Sequence, residues 1–306
     1  MPLTVRGRTA GRRGAARRPI AAATGALLLL IAACGSDPAP SGADNDAAGQ
    51  PGAIVSLSPT ATEMLFAIGA GDQVVAVDDR SDYPEQAPVT DLSGYTPNVE
   101  AVLGYDPDLV VTNADTGDLV AGLRRAGVET LILPAARTLD DTYAQLEQLG
   151  AATGHLAEAA ALVAAVRTEI DTIVADLPDR DAPLRYYHEL DNTYYTVTDD
   201  TYLGEIYAML GLRSIATGGD GYPQLSAEFV LDQNPDVIFL ADGQCCGVTP
   251  EAVAARAGWG ELAAVREGRV FALDEDIASR WGPRVVDLVR EVARLVNPVP
   301  AVRPTS

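Results

Sequence analysis

Few residues in this 306-residue chain are of the types and spacings that carry covalent chemistry. His188-Glu189 has the start of a zinc-protease helix, but Leu190-Asp191-Asn192 follows and the second His is missing. The other histidine, His155, lies far away in the chain, and two adjacent thiols, Cys245-Cys246, cannot complete a four-ligand zinc set with two histidines. A site for a bare metal ion would need several His, Asp or Glu converging on it, which disfavours that reading. No Gly-x-Ser-x-Gly elbow and no phosphate-binding Gly-rich loop occurs. Ser58, set before Pro59, has no positioned base and reads as the cap of a helix whose N-terminus faces a cleft. His188 reads first as a hydrogen-bonded strand residue and only second as a ligand contact. The balance favours capture of a solute over its transformation, with an α/β enzyme acting in an interlobe cleft as the rival.

A duplicated segment gives the next functional signal. Residues 98–111, Asn-Val-Glu-Ala-Val-Leu-Gly-Tyr-Asp-Pro-Asp-Leu-Val-Val, match residues 226–239, Ser-Ala-Glu-Phe-Val-Leu-Asp-Gln-Asn-Pro-Asp-Val-Ile-Phe. In each copy an N-cap residue (Asn98, Ser226) opens a short helix, a Glu sits in its first turn, and a Pro-Asp turn leads into a buried strand. Glu100 and Glu228 therefore occupy equivalent places on two lobes. A single such Glu would only complement its helix dipole. Two at matched positions suggest a paired surface.

The elements that must hold these residues alternate. Residues 53–57, 74–77, 109–112 and 130–133 read as strands and 60–68 and 118–126 as helices, a pattern that predicts a mostly parallel sheet covered on both faces. Thr138 or Asp140 caps a helix to Thr153, and an Ala-rich helix runs from about Leu156 to Leu177 with no strand partner nearby. Strands return at 185–189, 194–197, 237–240 and 270–273. The expected fold is α/β, with two Rossmann-like lobes of parallel strands joined by a long spine helix. The expected boundaries are a leader at 1–33, a tether at 34–52, an N-terminal lobe at 53–155, the spine at 156–178, a C-terminal lobe at 179–298 and a tail at 299–306. A cleft between lobes is the default ligand site. A continuous spine also implies a small hinge motion.

The leader carries six arginines before an apolar run from Ile20 to Ala33 that closes on Ile31-Ala32-Ala33-Cys34. The run is short for a membrane span, which needs about 20 apolar residues. It reads as a signal peptide, and the Cys resembles the acylated residue of a bacterial lipobox, predicting a chain anchored through Cys34 to the outer face of the cytoplasmic membrane. With the leader removed, 16 basic residues face 43 acidic ones, so nucleic acid is a poor partner.

From about Ile54 to Val296 the chain resembles the periplasmic binding proteins of iron-siderophore and cobalamin ABC importers, the long-spine-helix class. The resemblance rests on Ser56-Leu57-Ser58-Pro59-Thr60-Ala61-Thr62-Glu63, Ser81-Asp82-Tyr83-Pro84, the paired Glu-to-Pro-Asp segments, Tyr222-Pro223-Gln224-Leu225-Ser226 and Arg280-Trp281-Gly282-Pro283-Arg284. It implies a monomer that is not an enzyme and has no resident cofactor. The expected cargo is a bulky cobalt- or iron-containing chelate, a corrinoid or a ferric siderophore, or another bulky anionic cofactor. It also implies that Glu100 and Glu228 dock on two permease subunits, and that Arg80, Tyr95, Tyr195, Tyr222, Asp276 and Arg280 contact the ligand. Arg80 and Arg280 would favour a cargo with negative charge. Cys245-Cys246, following a strand of the second lobe, is placed at the cleft end, as a vicinal disulfide platform, two free thiols or an intermolecular bridge.

Overall fold

The structure is a computed structural model and describes residues 49–218 and 221–297. The leader, Cys34, most of the tether and the 299–306 tail fall outside the described residues. Among the described residues no helix is long and apolar enough to cross a membrane.

The N-terminal sheet begins with β1 (Ile54–Leu57), followed by α1 (Pro59–Ala67), β2 (Val74–Asp78), β3 (Val89–Leu92), α2 (Val99–Leu103), β4 (Leu109–Thr112), α3 (Leu119–Arg125) and β5 (Glu129–Ile132). Its strands are all parallel in the order β3-β2-β1-β4-β5. The central β1 and β4 are buried at every position, which is why they read as unbroken apolar runs.

A helical hairpin follows, α4 (Leu139–Thr153) and α5 (Leu156–Ala175). Thr138 and Asp141 form a reciprocal capping box at the start of α4. Gly154 closes α4 in the left-handed region, and a Cβ on Gly150 would meet that of Ala159 at 2.6 Å, so glycine permits the close approach of the two helices. The 20 residues of α5 span about 30 Å at 1.5 Å per residue. Ala159, Val163, Val166 and Ile170 make one buried stripe along it.

The second sheet comprises β6 (Leu184–Glu189), β7 (Leu212–Ser214), β8 (Val237–Leu240) and β9 (Val270–Ala272), parallel in the order β7-β6-β8-β9. Around it lie α6 (Tyr202–Met209), α7 (Ala227–Gln233), α8 (Gly243–Cys246), α9 (Pro250–Ala254), α10 (Ala263–Arg266), α11 (Glu275–Ser279) and α12 (Val285–Val296). The apolar face of α12 joins the core that also takes in the buried stripe of α5, tying the spine to the second lobe.

The duplication seen in sequence is structural. Asn98 and Ser226 accept from Ala101 N at 2.9 Å and Phe229 N at 3.1 Å. Asp106 and Asn234 both adopt positive φ, turning the chain before Pro. Asp108 then accepts from Gly52 N and Asp236 from Arg185 N, each at 2.8 Å, pinning the leading strand of its own sheet.

One expected strand is absent, and two strands are present that the sequence pattern does not mark. Residues 194–197 form no strand: Tyr194 has φ 72°, and only Tyr195 pairs, in an isolated antiparallel bridge with Gln224. The strands β3 and β7 went unread because both are short edge strands with polar residues in their interiors.

Candidate functional site

In both sheets the chain reverses direction at a switch point, between β1 and β4 and between β6 and β8. Loops at the carboxyl ends of parallel strands beside such points form a crevice. Here a cavity of about 490 Å³ is lined by Ser58, Pro59 and Thr60 after β1, Asp79, Arg80 and Asp82 after β2, Tyr95 after β3 and Asn113 after β4. From the other lobe come Gln244 after β8 and Asp276, Ser279, Arg280 and Trp281 after β9. Ser58 caps α1, as its sequence position suggested, with its hydroxyl accepting from Ala61 N at 3.4 Å. The buried Thr62 hydroxyl lies 2.9 Å from both the Ser56 and Ser81 hydroxyls, fixing the loop that carries Arg80 and Asp82.

The floor is ionic. Glu63 of α1 is only 2% exposed, yet both of its oxygens are occupied from the opposite lobe. Arg280 Nη1 donates to Oε1 at 2.8 Å, Arg284 Nε donates to Oε2 at 2.8 Å, and Arg284 Nη2 also reaches Oε1. Arg280 Nη2 then fans out to Asp276 at 2.7 Å and to Asp82 and the Arg80 carbonyl, each at 3.2 Å. Arg284 also stacks over the Tyr83 ring at 4.2 Å. A buried carboxylate requires such compensation. Burial pushes the Asp276 carboxyl above its usual range; Arg280 opposes the rise and Asp82 adds to it.

A second cavity of about 580 Å³ lies beyond the first turns of α4. Its walls are Ala136 and Arg137 after β5, Asp200, Thr201 and Tyr202 after β6, and Gly221 and Tyr222 after β7. The start of α4 links residues of the two cavities: Arg137 of the second lies just before the helix, while within it Thr142 donates to the carbonyl of Trp281 in the first at 3.1 Å and Gln145 accepts from Trp281 Nε1 at 2.9 Å. Leu139 N donates across to Glu205 of α6 at 2.8 Å.

Arg80, Tyr95, Asp276 and Arg280 are thus brought together in the first cavity, Tyr95 being 79% exposed at its rim. Tyr222 stands in the second, half-exposed. Tyr195 lines neither, and Cys245-Cys246 forms an exposed disulfide in α8 beside the first cavity, where only its neighbour Gln244 reaches the lining. Glu275 holds α8 by accepting from Gln244 N and Cys245 N at 3.0 Å. Glu100 and Glu228 are exposed in the first turns of α2 and α7.

The electrostatic expectation is corrected. Arg280 is engaged by Glu63, Asp82 and Asp276, and the three carboxylates that line the first cavity, Asp79, Asp82 and Asp276, outnumber its two arginines, Arg80 and Arg280. That lining does not favour a cargo with negative charge. Sequence reasoning also missed Glu63, Trp281 and Arg137. For Glu63 the signal was available, because a charge inside a run that is buried from Thr60 to Leu65 demands a counter-charge.

Deeper in the second lobe, His188 is fully buried with Nδ1 2.7 Å from the Tyr207 hydroxyl, and burial lowers its pKa to about 4, leaving it neutral. Glu189 is gripped by Arg256 through both oxygens. Asp242, at the end of the neighbouring strand, is pushed up to about 7 by burial and by the Glu189 charge. Among the described residues no cluster of three or more His, Cys, Asp or Glu is placed to hold a metal ion.

The family model described as periplasmic binding protein matches residues 54–277. An uncharacterised ABC transporter substrate-binding lipoprotein of Bacillus subtilis, YvrC, is 31% identical over 81% of this chain and 81% of its own. A cobalamin-binding protein of Halobacterium salinarum is 32% identical, covering 81% of this chain and 69% of the relative. The crystal structure of the vitamin B12 binding protein BtuF of Vibrio cholerae superposes with a TM-score of 0.67 at 30% identity, covering 81% of this chain and 98% of that one.

Proposed function

The chain belongs to the periplasmic binding protein family, and from that premise we propose that its cleft captures a corrinoid and presents it to the permease of an ABC importer. The observation that carries the choice of cargo is the ionic lining, in which Arg280 is held by Glu63, Asp82 and Asp276 and the three lining carboxylates outnumber Arg80 and Arg280. A corrinoid offers a ring of amide N–H donors that those carboxylates can accept, and broad apolar faces suited to Tyr95 and Trp281. A ferric siderophore with net negative charge meets repulsion from the same groups. The cobalamin-binding relatives support the same reading.

Delivery rests on Glu100 and Glu228, repeated in position and exposed on both lobes. Paired charges of this kind set orientation and association rate at an interface more than affinity. Acylation of Cys34 would keep the protein at the outer face of the membrane, with residues 34–52 as tether, 53–155 and 179–298 as the lobes and 156–178 as the spine. The test is co-elution. Protein beginning at Gly35 is mixed with cyanocobalamin or with a ferric siderophore and passed over a sizing column. A protein peak coloured by cobalamin supports the reading; colour from the siderophore alone refutes it.

A further inference from the structure

The corrinoid reading accounts for the first cavity and leaves the second without an occupant. That cavity is fed by both lobes, and its charged lining residues are one cation, Arg137, and one anion, Asp200. Arg137 sits in the short connection between β5 and α4. Its backbone N–H donates to Asp141 Oδ2 at 2.9 Å, and the same oxygen accepts from Thr138 N at 3.1 Å as part of the capping box. The backbone beneath the side chain is therefore fixed by a helix cap, while the guanidinium makes no salt bridge among the described residues and acts on the Asp141 carboxylate only through space. This sets it apart from Arg280, held by Glu63, Asp82 and Asp276, and from Arg284, held by Glu63. Tyr222 comes to the same cavity from the opposite lobe with half of its surface exposed. Thr201 is already engaged, donating to the Thr198 carbonyl at 2.8 Å and accepting from Gly204 N at 3.0 Å, which leaves Arg137 as the strong donor facing the space.

A planar guanidinium and a phenol ring held on facing walls match an oxyanion attached to a flat aromatic group: the fork takes the oxyanion and the ring packs against the plane. We propose that Arg137 is the specificity-determining residue of the second cavity and binds the phosphodiester in the nucleotide tail of a corrinoid whose ring occupies the first. This inference rests on the corrinoid reading. It gives a role to the one cation of the second cavity, opposed there only by Asp200: the cargo is neutral to polar at the end held in the first cavity and anionic at the other.

The test compares cobalamin with cobinamide, which has the same corrin ring but lacks the nucleotide base that completes the tail and its phosphodiester. Affinities are measured by absorbance titration for the wild type, Arg137→Ala and Arg137→Lys. The expected result is a loss of about ten- to a hundredfold for cobalamin in Arg137→Ala, with cobinamide affinity unchanged and partial recovery of cobalamin affinity in Arg137→Lys. Unchanged cobalamin affinity in Arg137→Ala, or an equal loss for both ligands, overturns the assignment while the corrinoid reading stands. A wild type that binds neither corrinoid overturns the reading and the assignment together. Unchanged cobinamide binding in the variants is also the control for folding.

Discussion

Replacing Glu63 with alanine removes the only carboxylate that pairs with Arg284 among the described residues and one of the three that engage Arg280. Glu63 is essentially inaccessible, and the side chains of Arg280 and Arg284 are 9% and 17% exposed, so the two guanidiniums cannot simply turn to water. Removing one partner of a buried pair costs about 3–5 kcal/mol. Arg280 keeps Asp276 at 2.7 Å and Arg284 keeps the face of Tyr83, which places the expected loss at the lower end, about 3 kcal/mol. Because Glu63 belongs to the first lobe and both arginines to the second, the loss weakens the tie between lobes as well as the fold. Urea denaturation followed by circular dichroism measures it, and the midpoint should fall by about 1 M for a slope near 3 kcal/mol/M. In a double-mutant cycle with Arg284→Gln, the coupling should amount to about 1–3 kcal/mol. A Glu63→Ala midpoint equal to the wild type, with no coupling in the cycle, would refute the claim that this ion cluster holds the lobes together.

Two further outcomes follow from the same geometry. Glu100→Ala combined with Glu228→Ala should abolish uptake in cells while the purified double variant binds its ligand as the wild type does; a loss of affinity would contradict the docking role. Asp242 has a folded pKa raised to about 7 against an ordinary value of 3.8, so the folded state holds the extra proton between those limits. Its stabilising contribution is complete below about pH 4 and fades as pH rises through 7. Asp242→Asn, which keeps a neutral group of the same shape, should therefore gain in melting temperature over the wild type at pH 8, gain less at pH 5 and show little difference below pH 4. A gain at pH 5 equal to that at pH 8 would mean that Asp242 is not protonated in the fold.

Much of the frame was legible because its signals are local. The buried runs of β1, β4 and β8, the caps at Ser58, Asn98, Thr138 and Ser226, and the one-sided stripe of α5 each depend on residues within a few positions. The edge strands β3 and β7 lack that signal, since an edge needs little apolar surface. At the site, the residue types were readable but their commitments were not. Arg280 looks like a ligand-binding cation until Glu63, 217 positions earlier, is seen to hold it. Tyr195 resembles its neighbours in type, yet the turn at Tyr194 directs the local chain into a bridge with Gln224. Arg137 carries no sequence mark beyond the capping box that follows it, and its position at the cavity wall depends on where β5 ends relative to the second lobe.

The central claim, a corrinoid held between the loops that follow β1, β2, β8 and β9, is tested most directly by crystals grown with cobalamin and measured at the cobalt absorption edge. The account predicts one strong anomalous peak per chain in the cavity bounded by Arg80, Tyr95, Asp276 and Trp281. A peak elsewhere on the protein, or none from crystals grown at saturating cobalamin, would contradict it.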